Sequence, residues 1–239
     1  MEYGAENEIS NINISHQLLE KSRLCINDKT SGTNFHVFYS FISNAPVYMQ
    51  EKFHLSKCNF AVRINFRSHG LSLILPPKRI SCSSNSFNAL DCTLDSLGIS
   101  QMQRESIYGL LASILHLGNI QFGNNDSGYA QISSESYQSL VCAADLLETD
   151  SKILENSLLK RKLSVPNNQR DSEVTVQLDK FLASRTRDSM MKLIYTQIFQ
   201  FIIENVNGHF PNSTSGKYIG ILDIPGFGAC FISILKVDF

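Results

Sequence analysis

The stretch from about Gln177 to Asn207 limits the folds open to this chain more than any other. Leu178, Leu182, Met190, Leu193, Ile194, Phe201, Ile202 and Val206 fall at steps that follow the helical period of about 3.6 residues. A helix of about thirty residues is long for a globular protein, so this one is expected to span a large domain. Asn207-Gly208 ends it, and Pro211 to Gly216 reads as a loop.

A chain of 239 residues can form one large domain or two small ones. With 43% hydrophobic and 18% charged residues it can pack a core, which excludes wholesale disorder. A net charge of −1 gives no global attraction to nucleic acid or to an anionic membrane. Cys25, Cys58, Cys82, Cys92, Cys142 and Cys230 form no C-x-x-C pair. A zinc ribbon or thioredoxin-like motif is therefore excluded, and the six read as reduced thiols of a cytosolic protein. Met1 to Ser10 lacks the basic and apolar regions of a signal peptide. The longest apolar runs fall far short of the roughly 18 residues that suggest a membrane span.

Residues 1–15 are rich in Asn, Glu and Ser and read as a loose lead-in. Leu18 to Ile26 is a short buried element, and Asn27 to Gly32 a turn. Asn34 is expected to cap a helix through Phe35, Val37, Phe38, Phe41 and Ile42, which Asn44-Ala45-Pro46 ends. Val47 to Leu55 resembles another short helix. Residues 56–88 are hard to read, with a possible strand at Leu71 to Leu75. A helix through Leu90, Leu94 and Leu97 leads to Gly98. A second runs from about Gln101 to Leu117, with Gly118 as its expected C-cap. Asn119 to Phe122 is extended and Gly123 to Gly128 a turn. Ser133 to Leu147 and Ser151 to Leu159 are helical, and Lys160 to Thr175 is a polar, exposed connection.

The chemistry concentrates in Tyr218-Ile219-Gly220-Ile221-Leu222-Asp223-Ile224-Pro225-Gly226-Phe227. An apolar run of strand length ends in an acid, and a Gly follows three residues later. In nucleotide hydrolases such an acid can hold the magnesium shell, and such a Gly can offer its N–H to a terminal phosphate. The plain alternative is an Asp that caps the turn after a strand. No Gly-x-x-x-x-Gly-Lys-Ser/Thr occurs in the sequence, so only half of a nucleotide site is present.

Four blocks, taken in order, resemble the myosin motor domain. They are Leu18-Leu19-Glu20-Lys21-Ser22-Arg23, Asn34-Phe35-His36-Val37-Phe38-Tyr39, Ile114-Leu115-His116-Leu117-Gly118-Asn119-Ile120 with Phe122, and Tyr218 to Phe227, which is similar to the loop called switch II. Phe53-His54-Leu55-Ser56 and Phe210-Pro211 lean toward the class VI type. The resemblance implies a mainly α fold with a small β component, a fragment of the α/β P-loop-type motor. It would hold the upper half of the central region and one transducer strand, in residues 16–228, followed by a tail at 229–239 outside the family pattern. It implies Mg-ATP as cofactor and actin filaments as partner, in a cytoplasmic, cytoskeleton-associated protein. Asp223 would reach Mg²⁺ through water, and Gly226 would offer its N–H to the γ-phosphate. Phe227 would anchor the switch.

Two departures qualify that resemblance. Residues 59–88 are shorter than the family pattern and unlike it, and Gly228 stands where switch II has Glu. The P-loop, switch I, relay helix and lever are not in these residues, so the chain alone is expected to be inactive. The ending after Gly228 reads as an alternative or unspliced transcript end, or an error in the gene model. The alternative function is a non-catalytic helical interaction module or an unstable truncated product. His36 and His116 sit among apolar residues and read as core or cap groups. Glu20, Lys21 and Arg23 read as ion pairs within the fold. Lys160-Arg161-Lys162 reads as a solvated loop rather than an actin contact.

Overall fold

The computed structural model describes residues 2–3, 9–17, 19–24, 34–55, 86–165, 172–210 and 219–221. The chain divides into two compact units, Ser22–Ile198 and the combination of Met1–Lys21 with Phe199–Phe239. Described residues are mostly helical, with three two-stranded antiparallel sheets. This agrees with the expected mainly α class and its small β component.

In the larger unit, α1 (His36–Asn44) buries Phe38, Tyr39 and Phe41 and stops at Ala45, ahead of Pro46. Asn34 does not cap it. Phe35 holds the N-cap position with no side-chain bond, while Asn34 is buried and donates its Nδ2 to the Arg23 carbonyl at 2.7 Å. A side chain that can cap a helix can equally satisfy a buried carbonyl, and here the neighbouring backbone won. Next come α2 (Val47–Lys52) and α3 (Ser86–Ser96), the latter closed by Gly98 at φ +77°. That left-handed conformation costs glycine little.

The centre of the unit is α4 (Gln101–Asn119). Ser100 and Gln103 form a capping box at its start. Ile107, Tyr108, Leu111, Ala112, Ile114, Leu115 and Leu117 are buried along it, and each fully buried large side chain contributes about 1.5–3 kcal/mol. Gly118 lies inside this helix and the C-cap is Ile120, two residues later than the glycine signal implied. The chain then forms a hairpin, β3 (Phe122–Asn124) with β4 (Ala130–Ile132), turning through Gly128 at φ +81°. Asn125 Oδ1 accepts from the Ser127 and Tyr129 N–H groups, which fixes the turn.

α5 (Tyr137–Leu146) buries Leu140, Ala143 and Ala144 and packs on α4. α6 (Ser151–Leu159) is capped by Asp150, which accepts from the Lys152 and Ile153 N–H groups. The segment read as a connection is instead a ribbon. β5 (Lys160–Val165) pairs in register with β6 (Ser172–Gln177), from Lys160 opposite Gln177 to Val165 opposite Ser172. Lys160, Arg161, Lys162, Thr175 and Gln177 are exposed, as expected. The β-branched alternation in Glu173-Val174-Thr175-Val176 is what favours extended pairing.

α7 (Lys180–His209) confirms the long helix, although Gln177 lies in β6 rather than in the helix. Its inner face differs from the expected one. Ala183, Met191, Tyr195 and Ile198 are buried, whereas Leu182 and Leu193 are 44% and 62% exposed. Apolar residues surround this helix, so periodicity alone fits more than one face. Tyr195, stacked on Phe35 with centroids 4.6 Å apart, marks the face that packs.

In the smaller unit the lead-in is not structureless: β1 (Glu2–Tyr3) pairs with β2 (Ile9–Asn11). Asn207 then grips the Ile14 backbone from both sides. Its Oδ1 accepts from the Ile14 N–H at 2.7 Å and its Nδ2 donates to the Ile14 carbonyl at 2.8 Å. His16 meets Phe199 edge to face at 5.4 Å. Ile219–Ile221 lies outside every strand, with Ile219 and Ile221 53% and 77% exposed, so these residues do not form the expected buried strand.

Candidate functional site

An aromatic and polar core joins α1, α3 and α4 with the turn after α2. Leu24 ends a 3-10 turn at Lys21–Leu24 and is fully buried. Phe41 on α1 stacks at 5.6 Å on Tyr108 of α4 and at 5.9 Å on Phe87 of α3, and lies 6.1 Å from Phe53. One ring therefore joins three helices and the turn after α2.

Polar groups line this core and hold its elements together. Tyr108 donates its hydroxyl to Asp91 Oδ1 at 2.9 Å, and Arg104 Nε donates to the same oxygen at 3.1 Å. Arg104 also bonds the Asp95 carboxylate and, at 2.7 Å, the Ile99 carbonyl. Arg104 thus ties α4 to the end of α3. Burial, reinforced by the bond to Asp91, pushes the Tyr108 hydroxyl well above the ordinary tyrosine range. Burial alone pushes Tyr195 up to about 12.

His116 is buried within α4, and its Nε2 lies 3.0 Å from the Phe53 carbonyl, so Nε2 carries the proton and donates it. Burial holds its pKa below the usual histidine range, and the neighbouring His54 adds to this against the opposing Phe53 bond. This is the core role expected for His116. His36, by contrast, is an exposed residue at the first position of α1. His54, at φ +56°, approaches Asp145 Oδ2 of α5 at 3.2 Å, and Lys52 bonds Glu105 of α4. Three consecutive residues, Lys52 to His54, thereby fasten the α2 end to α4 and α5. Arg187 on α7 donates to the Ile120 carbonyl at 2.7 Å and lies over the Phe122 ring at 5.9 Å.

Sequence reasoning missed Arg104, Asp91 and Arg187. A faint signal existed for the first two: Asp91 and Asp95 are one helical turn apart, on the helix before the one carrying Arg104.

Asp223 and Gly226, together with Pro225, Phe227 and Gly228, lie outside the described residues. So do the expected turn at Asn27 to Gly32 and the expected strand at Leu71 to Leu75. Among the described residues no three His, Cys, Asp or Glu side chains converge as a metal site would require. The residues expected to face Mg-ATP are outside the described ones, so no chemistry on that group follows from the described side chains. Cys92 and Cys142 are free thiols. No helix among the described residues is long and apolar enough to cross a membrane.

A helical scaffold built around the Asn34–Tyr39 and Ile114–Phe122 blocks defines a class, and the family comparison names it. The model for "Myosin head (motor domain)" matches residues 1–232, so the chain belongs to the myosin motor-domain family. Among relatives, Myosin heavy chain 95F of Drosophila melanogaster is 32% identical over 248 residues, covering 94% of this chain and 20% of that protein. Human Unconventional myosin-VI is 31% identical over 242 residues, covering 90% of this chain and 18% of its own length. Myosin-6 of Arabidopsis thaliana is 31% identical over 231 residues, covering 95% and 14% respectively. The chain thus spans a fifth or less of the length of these relatives.

Proposed function

We propose that this chain is a segment of an actin-based, ATP-driven motor of the kind that unconventional myosin-VI represents, and that alone it is catalytically silent. The observation that carries this reading is the family match from residue 1 to residue 232, which takes in all four motif blocks in order. The segments proposed are a lead-in at 1–15, a partial motor domain at 16–228 and a tail at 229–239; the family match runs past both inner boundaries.

In this reading the chain contributes scaffold and one side of a nucleotide site. Asp223 meets Mg²⁺ through water, and Gly226 faces the γ-phosphate with its N–H. Gly228 brings no carboxylate to orient an attacking water. The Lys and backbone N–H groups of a Walker A loop, absent from this sequence, ordinarily supply several charge-assisted bonds of about 1.5–3 kcal/mol each. Their absence is the reason for expecting no turnover. Actin filaments are the partner of the assembled motor, in the cytoplasm on the cytoskeleton.

A phosphate-release assay on the purified chain, with and without actin filaments, tests the proposal. Release at the no-protein background in both conditions is expected. Release that rises with filament concentration would refute catalytic silence.

A further inference from the structure

A side-chain amide joins the lead-in to the end of α7, and the motor reading makes no use of it. Asn207 Oδ1 accepts from the Ile14 N–H at 2.7 Å, and Asn207 Nδ2 donates to the Ile14 carbonyl at 2.8 Å. The amide pairs with that backbone as a neighbouring strand would. Both bonds are exposed.

The next residue is Gly208, and this is the one Asn-Gly step in the sequence. Asn-Gly is the dipeptide most prone to deamidation, because glycine has no Cβ to keep its nitrogen away from the asparagine carboxamide. Gly208 is exposed, and a Cβ added to it would meet nothing within 4 Å. Asn207 lies in the last turn of α7, which ends at His209, and terminal turns fray. While Ile14 holds the amide and the turn stays helical, the Gly208 nitrogen is kept from Asn207 Cγ. Opening of the grip and of that turn lets the two atoms meet.

We propose that Asn207 is a deamidation site whose conversion releases the lead-in. The Gly208 nitrogen attacks Asn207 Cγ. A Cγ–N bond forms, the Cγ–Nδ2 bond breaks, and Nδ2 leaves as ammonia with the proton of the Gly208 N–H. Water then opens the cyclic imide. Cleavage at Cγ gives aspartate, and cleavage at the Asn207 carbonyl carbon gives isoaspartate. Either product spoils the grip. Aspartate has no hydrogen for the Ile14 carbonyl and sets a carboxylate oxygen where the donor stood at 2.8 Å. Its charge also lies at a helix C-terminus, where the macrodipole opposes it. Isoaspartate carries the main chain through Cβ and Cγ, which breaks the helical spacing. The docked lead-in slows the reaction, and the reaction prevents redocking, so release runs one way.

The test holds the native full chain at neutral pH and body temperature for several weeks. Peptide mass spectrometry follows the gain of about 1 Da, and methylation by protein isoaspartyl methyltransferase marks isoaspartate. Conversion at Asn207 ahead of every other asparagine is expected. Gly208→Ala, which the open space around Gly208 accommodates, should lose that conversion. Hydrogen exchange at residues 9–17 should be about tenfold faster in Asn207→Asp and in the aged native chain, and unchanged in Gly208→Ala. Mapping the aged native chain keeps the outcome decisive even if a variant misfolds. No conversion at Asn207, or conversion that leaves exchange at 9–17 unchanged, overturns the proposal.

Discussion

Replacing Phe41 with alanine should be among the most damaging single changes to this chain. The side chain is 0% exposed, and its ring contacts Tyr108, Phe87 and Phe53 at 5.6, 5.9 and 6.1 Å. Truncating a buried Phe to Ala costs about 3–5 kcal/mol, from lost transfer energy and the cavity left behind. Each aromatic pair adds about 0.5–1.5 kcal/mol beyond its area. With three such pairs removed, the upper half of the range applies, about 4–5 kcal/mol. A whole domain is stable by only about 5–15 kcal/mol. In a domain of this size the loss lowers Tm by roughly 10–15 °C. Urea titration followed by circular dichroism measures it, with Phe41→Leu as a control that retains most of the volume and costs less. A cooperative transition with unchanged slope and a loss under about 1 kcal/mol would show that the ring does not join the three helices as described.

Further outcomes follow from other contacts. Tyr108→Phe removes a donor to Asp91 while keeping the ring, and should cost about 1–2 kcal/mol in the same titration. Gly109→Ala should be neutral or stabilising by about 0.5–1 kcal/mol. A methyl there would meet the Phe53 ring at 3.5 Å, an ordinary contact, so marked destabilisation would contradict the packing. His116 gives a pH dependence of defined sign. Its folded pKa lies below the unfolded value near 6.5, so the unfolded state binds the extra proton first. Stability is then full above about pH 6.5 and falls as pH drops toward the folded pKa. Urea midpoints at neutral and mildly acidic pH should show this fall, and the His116→Gln variant should show a smaller one.

The sequence made the helices legible wherever local signals and packing agreed. Ser151–Leu159 was readable to the residue because Asp150 caps it and Leu154 and Leu158 point inward. α5 was readable because its small buried residues recur on one face. The family blocks were legible as motifs, and the mainly α fold with a small β component that they imply is observed, although 219–221 lie outside every strand. Local signals failed where tertiary partners decided. Asn34 looked like a cap but serves the Arg23 carbonyl. Gly118 looked like a stop, yet the helix continues past it to Asn119. The inner face of α7 was set by Tyr195 on Phe35 and by Arg187 on the Ile120 carbonyl, neither of which periodicity encodes. The β5–β6 ribbon was obscured because its described side chains, at 160–163 and 174–177, are exposed on both strands, which leaves no alternation of burial to read. Of the candidate site, Asp223 and Gly226 came from motif chemistry, and their roles rest on that chemistry.

The most direct check on the account is equilibrium binding of a fluorescent ATP analogue, with Mg²⁺, to the purified chain. If the chain is, as proposed, a motor segment with switch II and no phosphate cradle, it gives no saturable signal at micromolar nucleotide. Saturable micromolar binding that unlabelled Mg-ATP displaces would contradict it.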